Sequence, residues 1–227
     1  MKRKIYKPKS LKELENEESK NYFKIVLIGD TCTGKTNIFR SLTSGEPVFG
    51  VFPATIGIEK KTIILNMENG KEVNFSLFDT SGQEQYLPIV RYYYRGDAVI
   101  LVYSIIDKRS FESLNVRINL LKQINCFEIP ILLLGNKKDL EERRQVTEEQ
   151  GEKFALEHGF IFHESTLTDY EELYSIFYKF TKIVYEKYLK EHNILGEHNL
   201  IEEHNKYNDQ SSFNKKNFNI LMKYISF

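Results

Sequence analysis

Apolar residues in this chain come in short runs, most of them continuous rather than alternating. Six such runs fall at residues 22–29, 61–67, 72–79, 97–105, 129–135 and 160–164. Each has the length of a strand, and unbroken apolar stretches suit strands covered on both faces, as in a parallel sheet. Helical patterns lie between them. The clearest runs from Thr147 to Gly159, where Thr147 can cap the first turn, Gln150 falls at the third helical position and Gly159 can close the last turn. From Asp169 to about Lys190, Leu173, Phe177, Phe180 and Val184 recur at spacings of three and four and mark one apolar face of a long helix. Asn69-Gly70, between the second and third runs, signals a tight hairpin, so one edge strand is expected to run antiparallel. The alternation predicts an α/β fold with a mostly parallel six-stranded sheet, one antiparallel edge strand and helices on both faces.

The two ends read differently. Residues 1–20 are rich in lysine and then glutamate without apolar periodicity, which reads as a flexible arm. Residues 191–227 dissolve into Asn, Lys, His and Glu and read as a polar, largely disordered tail, leaving one domain over 21–190. Lys and Arg number 32 and are balanced by 32 Asp and Glu, so nothing in the net charge pulls the chain toward nucleic acid or anionic membrane. Two cysteines, Cys32 and Cys126, cannot build a disulfide framework. The longest apolar runs are too short to span a bilayer and the start lacks an apolar leader, so a cytoplasmic protein is expected.

Between the first run and the next helix stands "GDTCTGKT", residues 29–36, the pattern G-x-x-x-x-G-K-[ST] in its strand–loop–helix setting. A loop that wraps a polyphosphate must aim several backbone N–H groups inward, which calls for glycine where main chain nears ligand. Gly29 and Gly34 supply those places, with Thr31, Cys32 and Thr33 as the loop between them. The helix begun by Lys35 offers its N-terminal dipole. The Lys35 ammonium suits the β- and γ-phosphates and the Thr36 hydroxyl suits Mg²⁺, with Asn37 next in the same turn.

The base is chosen elsewhere. "GNKKD", residues 135–139, ends the fifth run, and open α/β sheets bind ligands beyond the carboxyl ends of their strands. The Asp139 carboxylate can accept from both N–H groups on the edge of guanine, which adenine does not present. The Lys137 stem can cover the ring face, and Asn136 can bond the base and tie loops together.

"GDTCTGKT", "PATIG", "LFDTSGQE" and "GNKKD" occur in the order and spacing of the Ras superfamily of small GTPases, which this chain resembles over roughly residues 21–190. "YYYRG" at 92–96 and "GNKKDLEERRQVTEEQGEKFA" look most like the Rab branch. The resemblance implies a guanine-nucleotide switch that hydrolyses GTP to GDP, in vesicle trafficking or signalling, with GTP/GDP and Mg²⁺ as cofactors. Thr55 would close over the metal and γ-phosphate, Asp79 would hold the metal shell, Gly82 would give its N–H to the γ-phosphate, and Gln83 would orient the attacking water. Thr166 and Leu167, in "ESTLT", would offer backbone N–H groups to the guanine oxygen. Phe49 or Phe52 would stack on the base or anchor the loop.

Departures from the family pattern bear on rate and partners. Thr31 stands where the family has a small residue and would lie near the γ-phosphate and Gln83, and Ser81 replaces an alanine. Misplacing the attacking water by about an ångström can cost on the order of 10²-fold in rate, so a low intrinsic rate is expected. A guanine-nucleotide-binding module with little or no hydrolysis is the alternative. Cys32 reads as a small packing residue. Thr168 replaces a ring-covering lysine. Lys60 and Phe78 replace a phenylalanine and a tryptophan of the Rab aromatic trio, leaving Tyr93. Effectors, exchange factors and GTPase-activating proteins are the implied partners of a monomer, with unusual effector choice. The final "MKYISF" carries no cysteine for prenylation, so no lipid anchor is expected and membrane contact would be weak or depend on a partner.

Overall fold

The computed structural model describes residues 22–55, 57–82, 96–123 and 128–192. Both ends beyond these residues, with the arm and tail expected there, lie outside the description. Six strands form one sheet: β1 (Tyr22–Ile28), β2 (Ile58–Asn66), β3 (Glu72–Thr80), β4 (Ala98–Ser104), β5 (Ile131–Asn136) and β6 (Ile161–Ser165). Their order is β2-β3-β1-β4-β5-β6, and every pairing is parallel except β2 with β3. The expected antiparallel strand is therefore the edge strand β2. Its hairpin closes at Met67–Lys71, where Gly70 takes a φ of 75°.

Strand periodicity divides the core in two. Phe23, Ile25 and Leu27 of β1 pack on one face with α1 (Lys35–Ser44) and the long α5 (Tyr170–Glu191). Val26 and Ile28 pack on the other with α3 (Leu114–Gln123) and α4 (Glu148–His158). A short α2 (Lys108–Glu112) precedes α3, and a 3₁₀ segment (Lys138–Arg143) follows β5. The caps read from the sequence are present. Thr147 and Gln150 form a reciprocal capping box at the start of α4, and Gly159 ends it at φ 69°. Asp169 accepts from the Glu172 N–H to cap α5.

Parallel pairing has one consequence for function. The carboxyl ends of β1, β3, β4, β5 and β6 all open on the same edge of the sheet, so the loops after them converge.

Candidate functional site

The loop between β1 and α1 is built by local bonds. The Asp30 carbonyl accepts from the Thr33 hydroxyl at 2.9 Å and from the Lys35 ammonium at 2.6 Å, which curls residues 30–35 back on themselves. Gly29 has no room for a side chain, because a Cβ there would fall on the Val102 carbonyl oxygen of β4. Gly34, at φ 97°, faces the Asn136 side chain instead. Burial pushes the Lys35 ammonium down to about 8, against the raising influence of Asp79, with Arg117 adding to the depression. A buried cation of that kind gains most from an anion placed beside it.

Three oxygens meet at the start of α1. The Thr36 hydroxyl donates to Asp79 Oδ2 at 2.7 Å, the Thr55 hydroxyl donates to the same oxygen at 3.2 Å, and the two hydroxyls lie 3.1 Å apart. Thr55 comes from the loop after α1 and Asp79 from the end of β3, so three separate segments supply one cluster. Asp79 Oδ1 is buried and has no hydrogen-bond partner among the described residues. Burial raises the Asp79 carboxyl, while Thr36 and Lys35 oppose the rise. Two hydroxyls and an under-bonded carboxylate form a hard, all-oxygen donor set that suits Mg²⁺.

The second half of the site lies beyond β5 and β6. Asn136 Nδ2 donates to the Thr33 carbonyl at 2.8 Å and Lys137 Nζ to the Cys32 carbonyl at 2.7 Å, so both side chains tie this region to the phosphate loop. Lys137 adopts a φ of 71°, which turns the chain sharply out of β5. The exposed Asp139 accepts a 2.6 Å bond from the Thr166 hydroxyl, and Thr166 is in turn bonded to Thr168 at 2.8 Å. Below this loop, Arg144 holds the buried Glu164 of β6 through two bonds of 2.7 Å and fixes the approach to Thr166.

A sequence model of the Ras family matches residues 24–186 of the 227. The chain belongs to the Ras family. It is accordingly a GTP-binding small GTPase of the switch kind, and Ras-family proteins generally hydrolyse GTP and work with regulators and effectors. The match covers every site residue just described.

Within this Ras-family frame the expected residues fall as follows. Gly29, Thr31, Thr33, Gly34, Lys35, Thr36, Thr55, Asp79, Gly82, Asn136, Lys137, Asp139, Thr166 and Leu167 all lie at the carboxyl ends of strands, on the loops at that edge or at the start of α1. Asn37 sits in the same turn, but its side chain reaches the Gly50 carbonyl at 3.1 Å and so braces the loop after α1. Gln83 and Tyr93 lie outside the described residues. Cys32 is exposed at φ 63°, and its carbonyl accepts from Lys137. Phe52 lies under the Arg40 guanidinium at 3.9 Å, whereas Phe49 is exposed. Lys60 stands over the rings of Tyr22 and Phe78.

One residue that contacts the site escaped the sequence reading. Arg117 of α3 is 2% exposed and donates to Asp30 Oδ1 at 2.9 Å and to the Gly82 carbonyl at 3.1 Å. The signal was available as a single arginine at a position spaced with Leu114, Ile118 and Leu121 in the buried stripe of a helix.

Proposed function

We propose that this Ras-family protein is a Rab-like switch that binds GTP or GDP with Mg²⁺ and hydrolyses GTP slowly, acting in vesicle trafficking or signalling from the cytoplasm. The convergence of Thr36, Thr55 and Asp79 beside the buried Lys35 carries the reading, because it joins a cation-binding oxygen set to a phosphate-binding ammonium. Mg²⁺ held there neutralises phosphate charge during transfer. Lys35 and the N–H groups of residues 31–36 hold the β- and γ-phosphates. Asp139, steadied by Thr166, reads the guanine edge, and Gln83 orients water. Loss of the γ-phosphate frees Thr55 and Gly82, and their loops relax. The Rab assignment rests on "YYYRG" and on the run after "GNKKD". Because Lys60 stands in the aromatic trio, the effectors would differ from those that read three aromatic rings.

A hydrolysis-poor binding module is the second reading, favoured by one observation. The Thr31 backbone nitrogen lies against Gly82, and a β-branched residue beside Gly82 would crowd the attacking water. A single-turnover assay separates the two. Purified protein is loaded with GTP, Mg²⁺ is added, and bound GTP and GDP are followed over hours. Conversion to GDP that is lost in Gln83→Leu supports the hydrolysing switch. GTP that stays intact supports the binding module.

A further inference from the structure

The Arg117 guanidinium is costly where it lies. An arginine buried in an apolar helical stripe loses its hydration, and acceptors must replace that water. Helix α3 nonetheless buries it beside Leu114, Ile118 and Leu121. Its acceptors come from two different parts of the site: the carboxylate of Asp30, in the phosphate loop, and the carbonyl of Gly82, just past β3. The same Nη2 atom donates to both.

Gly82 is held from its other side as well. A Cβ on Gly82 would collide with the Thr31 nitrogen and the Asp30 carbonyl carbon, so its main chain rests directly on the phosphate loop. Asp30 joins the two halves, with its carboxylate on Arg117 and its carbonyl on the Lys35 ammonium. The charges sense one another, since Arg117 contributes to the depression of Lys35. Arg117, Gly82, Asp30 and Lys35 thus form one hydrogen-bonded chain from α3 to the phosphate site.

We propose that Arg117 is a positioning residue that clamps Gly82 to the phosphate loop and thereby sets the preference for GTP over GDP. The inference rests on the nucleotide reading given above. Of the two nucleotides only GTP carries the third phosphate that the Gly82 N–H would meet. A clamp that places Gly82 in advance removes an ordering cost from GTP binding and leaves GDP binding nearly untouched. A mere structural ion pair would support both nucleotides alike.

The test compares the affinities of GDP and of a slowly hydrolysed GTP analogue, GTPγS, across wild type, Arg117→Gln, Arg117→Lys and Asp30→Asn. In Arg117→Gln the GTPγS-to-GDP affinity ratio is expected to fall about 5- to 10-fold, the size of one ordinary net hydrogen bond. Arg117→Lys keeps a cation without the planar fork and should recover part of the ratio. Asp30→Asn, which weakens one anchor, should lower the ratio to a smaller degree. Equal losses for both nucleotides, or an unchanged ratio, overturn the clamp. If Arg117→Gln loses its cooperative thermal transition, Asp30→Asn decides, and an unchanged ratio there overturns the proposal. Wild type that binds neither nucleotide overturns the reading of the site itself, a result distinct from wild type that binds both with ratios insensitive to these changes.

Discussion

Asn136 reaches from the end of β5 to donate its amide to the Thr33 carbonyl at 2.8 Å, and the same amide nitrogen fills the space that a side chain on Gly34 would need. Two loops separated by about a hundred residues are therefore locked by one side chain and one missing side chain.

Gly34→Ala should break that lock. The new methyl would fall on Asn136 Nδ2, at a φ of 97° that an L side chain rarely adopts. A loss of about 1–3 kcal/mol is expected from the strained backbone alone, together with loss of nucleotide binding. Gly45→Ala is the control. Its φ is 83°, but nothing among the described residues lies within 4 Å of the added carbon, so it should cost only about 1–2 kcal/mol and keep binding. Urea denaturation and titration with a fluorescent guanine nucleotide measure the two effects separately.

Base selection should depend on Asp139 and, less strongly, on Thr166. The wild type is expected to prefer GTP over inosine triphosphate, which lacks the 2-amino group. Asp139→Asn loses the charged acceptor and should erase that preference, weakening GTP by about 1.5–3 kcal/mol. Thr166→Val removes the 2.6 Å bond that aims the carboxylate and should cost about 0.5–1.5 kcal/mol, the range of an ordinary hydrogen bond. Competition titrations with the two nucleotides read both changes.

Lys35 predicts two pH slopes of opposite sign. Its ordinary value of 10.5 applies to the unfolded chain, whereas in the fold it releases its proton above about 8. Between those values the unfolded chain binds more protons, so stability of the nucleotide-stripped protein should rise with pH across that window. Nucleotide affinity should do the reverse. Phosphate favours the ammonium, so binding above pH 8 takes up a proton and weakens as pH rises, by at most about tenfold per pH unit. Calorimetry in buffers of different ionisation heat counts the proton, and Lys35→Met should abolish its uptake.

Metal removal should expose the role of Asp79. If Thr36, Thr55 and Asp79 hold Mg²⁺, chelation should speed nucleotide release from the wild type by on the order of tenfold or more, the loss of one charged contact. Asp79→Asn should already release nucleotide quickly and respond little to the chelator. A large chelator response retained in the variant would place the metal elsewhere.

Legibility followed chemistry rather than position. Gly29, Gly34 and Lys35 could be read because a phosphate loop requires glycine and lysine at fixed spacing, and Thr147, Gln150 and Gly159 because caps obey local rules. β2 begins at Ile58 rather than at 61 because Glu59 and Lys60 lie on a half-exposed edge strand and separate Ile58 from the apolar run. The 3₁₀ segment Lys138–Arg143 buries nothing, so no periodicity announced it. Arg117 was hidden for the opposite reason. Its value depends on Asp30 and Gly82, which come near only after β1, β3 and α3 have packed, and no local pattern encodes that meeting.

The strand order also constrains how the chain is born. β1 is made first yet lies at the centre of the sheet, and its partners β3 and β4 follow only at residues 72–80 and 98–104. Phe23, Ile25, Val26, Leu27 and Ile28, all fully or almost fully buried at the end, must therefore wait on the ribosome without neighbours while some fifty to eighty further residues emerge. Such delayed, non-local pairing makes folding slow and leaves a sticky segment open to wrong partners. The phosphate loop directly follows that segment, so the nucleotide site can close only when the central strand is finally flanked. A cell that supplies nucleotide at that moment supplies a ligand that holds the newly completed sheet together.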